Sequence, residues 1–323
     1  GGTDGQALRH VARRIADTGA DVVHGHGSKG GAYARAGALL RRGAAVRAYT
    51  PHGGSFNYRP GAPIHRFYMG VEGALRRATD IYLFESQYIA SCFHNYVGPT
   101  RTLERIALNG ISPAEFVPVE PDADAAEFLY VGELRSAKGI DILIAALARV
   151  SAEKATRPRL VLVGSGPDER MLTEQAQGLG VSTQVTFAGA MPARRAFQLG
   201  RVMVVPSRAE SLPYIVLEAA GAQAPLISTD VGGIPELFGP YASRLIACDD
   251  VDALAARMSA ALTSQPEALR EDAVPLAAYV QRQFALDQMI DTVLDGYREA
   301  IARRQASVQP SLQAPLAAPR NAS

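Results

Sequence analysis

Short apolar runs alternate along this chain with longer stretches whose apolar residues recur every three or four positions. The runs Val22–His24, Val46–Thr50, Ile81–Glu85, Phe128–Val131, Leu160–Val163, Val185–Ala188, Val202–Val205, Leu226–Ser228 and Leu245–Ala247 have the length and composition of buried parallel strands. Between them, Gln6–Thr18, Ala32–Arg42, Arg66–Ala78, Ile140–Val150, Glu169–Leu179, Ile215–Gly221 and Asp252–Leu262 read as helices. Alternation of this kind predicts parallel α/β sheets with helices on both faces. A further long helix is expected over roughly Leu276–Arg304.

One segment breaks the alternation. Phe116–Ala126 reads FVPVEPDADAA, with two prolines, three acids and no apolar period, and so reads as a linker. It divides the chain into two doubly wound halves, residues 1–118 and 119–287. Arg304–Ser323 is rich in Pro, Ala, Gln and Ser and is expected to be disordered. In doubly wound folds ligands bind at the carboxyl ends of the strands, so two such halves predict a site in a cleft between them.

Composition narrows the classes. The 323 residues suffice for two ordinary domains, and 47% hydrophobic with 20% charged residues fits a globular protein. No apolar run reaches the ~18 residues that span a bilayer, and no segment reads as a secretory signal. Cys92 and Cys248 are too few and too far apart for a disulfide framework or a metal cluster, which points to a cytoplasmic setting. The net charge of +1 hides an asymmetry: residues 1–118 hold 14 Lys and Arg against 8 Asp and Glu, residues 119–323 hold 19 against 24. A basic first half suits acidic lipid head groups or anionic acceptors, although scattered solvated arginines give the same count. No nucleic-acid partner is expected.

The candidate chemistry lies in loops that follow strands. Ser207-Arg-Ala-Glu-Ser-Leu-Pro-Tyr-Ile-Val-Leu-Glu218 follows the run Val202–Val205. Ser211 is expected to cap the next helix, with Pro213 in its first turn. Exposed N–H groups at that turn favour a phosphate, and Glu210 and Glu218 can each accept two hydrogen bonds from a diol. Spacing alone equally fits two surface glutamates around an ordinary capped helix. Arg135 and Lys138, in Val131–Gly139, could neutralise a diphosphate as it leaves, or form a solvated basic turn. Gly164-Ser-Gly-Pro167 allows close approach of a ligand or simply a tight turn, and is not a dinucleotide fingerprint. His52 ends a strand loop, near His24 and His26 in the preceding one; no carboxylate stands close in sequence, so no metal is expected. Asp250-Val-Asp252 reads as a helix cap, and Asp122-Ala-Asp124 falls in the linker.

Taken in order, these elements resemble the family 4 glycosyltransferases, retaining enzymes with the GT-B fold. The family's paired glutamates, eight positions apart, match Glu210 and Glu218. Its Gly-x-Leu-x-x-x-Lys-Gly matches Gly132–Gly139, its Gly-x-Gly-Pro matches Gly164–Pro167, and its Phe-x-Gly matches Phe187–Gly189. Asn109–Ile111, Thr50–Gly53 and Gly232–Glu236 match three further motifs, and the likeness runs from about Ala20 to Gly296.

The resemblance implies roles. Glu210, with the backbone of Ser211 and Leu212, would hold the donor sugar; Glu218 would hold the ribose. Lys138 and Arg135 would bind the diphosphate, with Glu133 standing where the family often has Arg. Gly164, Gly189 and Met191 would flank the nucleotide, and His52 would contact the sugar. The donor would be a UDP-, GDP- or ADP-sugar with no other cofactor and no metal. The acceptor would be a glycan or lipid-linked glycan in bacterial-type surface polysaccharide or glycolipid synthesis, at the inner face of a membrane. A closing helix over 288–303 would return to the first domain. The family's usual first strand and glycine-rich loop have no counterpart before His24, so the first domain is expected to be incomplete. The same scaffold also carries nucleotide-sugar epimerases or hydrolases, and non-catalytic binders of nucleotide sugars.

Overall fold

A computed structural model describes residues 4–40, 45–154 and 157–308. The described residues form two compact units. The first takes its residues from Gly1–Phe84, Phe93–Ile106 and Asp291–Ser323, the second from Glu85–Cys92 and Ala107–Ile290. No helix among the described residues is long and apolar enough to cross a membrane.

The first unit is built on a parallel sheet in the order β1 (Val22–His26), β2 (Val46–Thr50), β3 (Ile81–Phe84) and β4 (Leu103–Ile106). Helices α1 (Asp4–Thr18), α2 (Gly27–Leu40) and α3 (Pro63–Leu75) connect and cover the early strands, and α4 (Gln87–Tyr96) follows β3. The interior strand β3 is buried throughout, whereas β1, which pairs with β2 alone among the described residues, is mostly half-buried. Beneath this sheet lies a charge. Arg35 is fully buried and gives its guanidinium to Glu72 at 2.8 Å, while the Tyr49 hydroxyl donates to the other Glu72 oxygen at 2.8 Å. The guanidinium also stacks 3.7 Å above the Tyr49 ring.

The second unit has a five-stranded parallel sheet. It contains β5 (Ala126–Val131), β6 (Leu160–Val163), β7 (Val185–Gly189), β8 (Gly200–Val205) and β9 (Leu226–Ser228), in the order β7-β6-β5-β8-β9. Its helices are α5 (Ile140–Lys154), α6 (Glu169–Gly178), the short α7 (Ala193–Ala196), α8 (Tyr214–Gly221), α9 (Ile234–Phe238), α10 (Val251–Thr263) and α11 (Pro266–Gln283). Successive side chains of a strand point to opposite faces, and here this sorts the core into two layers. Phe128 and Tyr130 of β5 join α5, α6 and α10 on one face. Leu129 and Val131 join α8, α9 and α11 on the other. The strand order reverses on either side of β5, since the chain winds outward to β6 and β7 and then crosses back to β8 and β9. The carboxyl ends of β5 and β8 therefore flank a topological switch point, where ligands bind in open sheets of this kind.

The expected doubly wound class is what the chain adopts, with local differences. The strand β4 and helix α4 were absent from the pattern reading: β4 is only Leu-Glu-Arg-Ile, with two charges in four residues. The expected strand Leu245–Ala247 is reduced to a single bridge between Ile246 and Thr229. The expected helix over 276–304 is two helices, α11 and α12 (Leu286–Val308). They break because Ile111 pairs with Ala285: the Ile111 N–H donates to Phe284 O at 2.9 Å and the Leu286 N–H donates to Ile111 O at 2.9 Å. Disorder was expected from Arg304, yet α12 continues to Val308, and Arg304 donates to Asp80 at 2.8 Å; the remainder of that tail, 309–323, lies outside the described residues. Of the expected helix Ala32–Arg42, positions 41 and 42 also lie outside them.

Candidate functional site

Two loops meet at the switch point. One follows β5 and turns through a single 3-10 helix, Ser136–Lys138, before α5. The other follows β8 and runs from Pro206 to Pro213 before α8. Glycine lets them touch: Gly139 has φ +67°, and a Cβ there would lie 1.9 Å from the Pro206 carbonyl oxygen. The Arg208 N–H donates to Ala137 O at 2.9 Å. The Arg208 guanidinium grips both Asp141 oxygens, at 2.8 and 2.7 Å, and reaches Asp249 at 2.6 Å and Ser136 O at 2.5 Å. The hydrogen bond to Asp141 is the largest influence raising the Arg208 pKa. This fork ties the second loop to the turn that carries Lys138.

The result is a compact polar cluster. Lys138 Nζ donates to Glu210 Oε1 at 2.6 Å, and Ser207 Oγ donates to the same oxygen at 2.7 Å. Glu210 is only 7% exposed. On its other side the loop after β9 presses close, where a Cβ at Gly232 would lie 1.8 Å from the Glu210 carbonyl oxygen. The Leu212 carbonyl accepts from Asn109 Nδ2 at 2.8 Å. The backbone N–H groups of Ser211 and Leu212 have no acceptor among the described residues, so the loop carries two unused donors.

The other expected residues fall around this cluster or apart from it. Ser211 does not cap α8; Pro213, at φ −73° and ψ 123°, takes that position without a side-chain hydrogen bond. Leu212 and Pro213 therefore separate Ser211 from the helix. Glu218 lies inside α8, half-buried, with its pKa raised first by burial and then by Glu115. Its side chain makes no hydrogen bond among the described residues. Arg135 pairs with Glu133 at 3.1 Å, both about half-exposed. The Gly164 N–H donates to Gly189 O at 2.9 Å, which joins the β6 and β7 loops. Protein backbone occupies the space that Gly164 was expected to leave for a ligand: a Cβ there would lie 1.9 Å from the Gly132 carbonyl oxygen. Met191 packs, partly buried, against the core. Asp250 accepts from the Ala253 N–H at 2.8 Å, as a helix cap should.

Glu236, of the Gly-Gly-x-x-Glu motif, caps the start of α4: the Gln87 and Tyr88 N–H groups donate to its carboxylate at 2.8 and 2.5 Å. Sequence reading missed Ser207 and Arg208 as contributors, although both stand in the stretch it singled out. Their importance depends on partners 3 to 72 positions away.

His52 belongs to the first unit. Its Nε2 lies 2.8 Å from His26 Nδ1. Among the described residues no three His, Cys, Asp or Glu side chains are grouped so as to hold a metal ion.

Two family profiles together cover residues 2–275. That of "Glycosyltransferase Family 4" matches residues 2–115, and that of "Glycosyl transferases group 1" matches residues 113–275. The chain belongs to the family 4, group 1 glycosyltransferases. It is 33% identical to EpsD of Bacillus subtilis (strain 168) over 237 residues, 68% of this chain and 61% of that protein. It is 32% identical over 202 residues to a D-inositol 3-phosphate glycosyltransferase of Acidothermus cellulolyticus, covering 58% of this chain and 44% of that one. The chain thus spans about half the length of such relatives. Among solved structures, it superposes on sucrose-phosphate synthase from Thermosynechococcus elongatus with a TM-score of 0.79 at 24% identity, covering 93% of this chain and 78% of that one. Anabaena HepE, solved with UDP and glucose, gives a TM-score of 0.76 at 18% identity, covering 91% and 82%. The chain has the GT-B fold of these neighbours.

Proposed function

We propose that this chain moves a sugar, with retention of configuration, from a nucleotide-diphosphate sugar to a glycan or lipid-linked acceptor in surface polysaccharide or glycolipid synthesis. The observation that carries the reading is the Lys138–Glu210–Ser207 cluster at the β5–β8 switch point, beside the free N–H groups of Ser211 and Leu212. A leaving diphosphate gains negative charge as the glycosidic bond breaks. Lys138 and Arg135 supply positive charge there, and preorganised donors stabilise developing charge most strongly in a site that excludes water. Glu210 accepts hydrogen bonds from the sugar hydroxyls through the oxygen that Lys138 and Ser207 leave free. Glu218, without a protein partner, receives the ribose hydroxyls. The departing phosphate takes the acceptor's proton on the same face, which retains configuration.

Family membership supports donor use. HepE is solved with UDP and glucose, and one Mycobacterium tuberculosis relative is named as GDP-mannose-dependent. We propose a UDP-, GDP- or ADP-sugar as donor, and a cytoplasmic setting at the inner face of a membrane, supported by the basic first half. The test is a thermal-shift screen against UDP-, GDP- and ADP-sugars, since a ligand that binds only the folded state raises the melting point. One base should give the shift, and Glu210→Ala should lose the part due to the sugar. Equal melting with and without every donor would overturn the reading. Conversion of donor with no acceptor present would point to an epimerase or hydrolase instead.

A further inference from the structure

The second unit holds a cavity of about 300 Å³ at the amino-terminal edge of its sheet, the edge opposite the switch point. Every residue that lines it belongs to that unit. Its walls are the starts of β5 and β8, the turn before β9, the end of α10, the start of α11 and the stretch 118–123. A strand advances about 3.3 Å per residue, so the six residues of β5 set the cavity roughly 15–20 Å from the Lys138–Glu210 cluster.

The wall 118–123 belongs to the stretch whose composition reads as a linker. Here it is stitched to the sheet edge. The Val119 N–H donates to Ala222 O at 3.0 Å, and the Asp122 N–H donates to Gln198 O at 2.8 Å. Pro118, Pro121, Pro225 and Pro266 also line the cavity. Proline has a fixed φ and no N–H, so these positions stiffen the wall and add no donor to it. The fully buried rings of Phe128 and Phe197 belong to the same lining. The space is about ten times the roughly 30 Å³ that one water takes in the liquid, and it reaches the size at which ligand sites begin. A stiff, largely apolar chamber of this size gains by exchanging water for apolar ligand atoms.

The charges around it are matched except for one. Arg270 pairs with Glu120, and Arg195 pairs with Asp122 at 2.7 Å. Glu127 accepts the Arg159 N–H at 2.6 Å, with the Arg159 guanidinium 3.6 Å away. Arg201 lines the cavity, is exposed, and has no hydrogen bond or ion pair among the described residues. Gln223 also lines it without a side-chain hydrogen bond among those residues. Met203 pairs with Leu226, so Arg201 and Gln223 lie on neighbouring stretches of chain, two and three positions before that pair. Gln223 ends α8 at a left-handed φ of 58°, with its N–H donating to Ala220 O at 3.1 Å. Glycine takes that position at less cost, yet the chain places an amide there.

We propose that this cavity binds a monocarboxylate with an apolar body, such as a medium-chain fatty acid. Its carboxylate meets the donors of Arg201 and Gln223, and its chain lies among the apolar walls. A single negative charge fits best, because Glu120, Asp122 and Glu127 would repel a phosphate dianion. The assignment stands on the second unit alone and does not depend on which donor sugar is used.

The full chain is titrated calorimetrically with octanoate, 1-octanol and octylammonium, each below the concentration at which it forms micelles. Octanoate should bind saturably and about tenfold more tightly than 1-octanol, the scale of one charge-assisted hydrogen bond. Octylammonium should bind more weakly than either. In amide spectra of the 15N-labelled chain, the shifts caused by octanoate should centre on Val119, Gln223 and Leu269. Arg201→Gln should remove the advantage of octanoate and leave 1-octanol binding as it was. Ala224→Leu, in the cavity wall, should weaken both. If Ala224→Leu does not fold, the exposed Arg201→Gln decides. Absence of octanoate binding, equal binding of octanoate and octylammonium, shifts centred elsewhere, or unchanged octanoate affinity in Arg201→Gln or in a folded Ala224→Leu would each overturn the proposal.

Discussion

The two units place charge in opposite locations. In the second, both faces of the sheet are packed with apolar side chains, and its least exposed ion pair among the described residues, Lys138–Glu210, sits in the loops at the switch point beside Arg208. In the first, the least exposed pair is under the sheet, in the fully buried Arg35 with Glu72, and the loop cluster is made of histidines whose pKa values burial lowers. The difference teaches where each kind of substitution should act. Loop charges in the second unit should govern ligand chemistry, and the buried charge in the first should govern folding.

The largest effect should come from Arg35→Ala. It strands Glu72 beneath the sheet and should cost about 3–5 kcal/mol in a denaturant titration, whereas Arg35→Met with Glu72→Leu should cost far less. A loss under about 1 kcal/mol for the single change would break the comparison. Next comes Lys138→Ala, expected to lower transfer about 10²–10³-fold, the scale seen when one charge-stabilising donor is removed. Its melting point should fall less than that of Arg35→Ala. Leu147→Ala tests the apolar core of the second unit; Leu147 is fully buried between α5 and the sheet, and the change should cost about 2–5 kcal/mol in the same titration.

Smaller still is the pH dependence of the first unit. His24, His26 and His52 have pKa values lowered from an ordinary 6.5, so the folded state binds fewer protons than the unfolded state below that value. Their contribution is fully present above pH 6.5 and is lost as pH falls toward the folded values of about 3 and about 4. Melting curves taken stepwise from neutral pH downward should show this decline, and His24→Asn should flatten it by up to about one proton. The smallest expected effect is Asp250→Ala, which removes one helix cap and should cost about 1 kcal/mol by calorimetry.

How much of this was legible follows from distance along the chain. The parallel α/β class and the core strands are written in local apolar runs, so β5, β6 and β8 were readable, whereas the expected linker Phe116–Ala126 lies within the second unit's Ala107–Ile290. Strand β4 was not, because Glu104 and Arg105 hide its period and pairing with β3 makes it a strand. The break at Phe284 was hidden for the same reason: its cause, Ile111, stands far away in sequence. At the site, Glu210 and Lys138 were found by spacing and family likeness. Spacing cannot reveal that they bind one another, that Ser207 shares the same oxygen, or that Pro213 displaces Ser211 as the cap. The histidine pair illustrates the limit well, since only the pairing of β1 with β2 in register brings His26 level with Thr50 and places His52 within reach.

The division of the chain into units has a consequence for biosynthesis. Passing along the sequence, the chain changes units after Phe84, after Cys92, after Ile106 and after Ile290. The first unit therefore needs residues from α12 to finish itself: Tyr297 meets His24, Arg304 meets Asp80, and Gly296 lies against Ile81 and Leu83. The second unit has nearly all its residues by Ile290 and can close while α12 is still being made. A ribosome releases the amino terminus first, and domains generally fold in that order. Here the order is inverted: the sheet synthesised first is the one that must wait longest for its last helix.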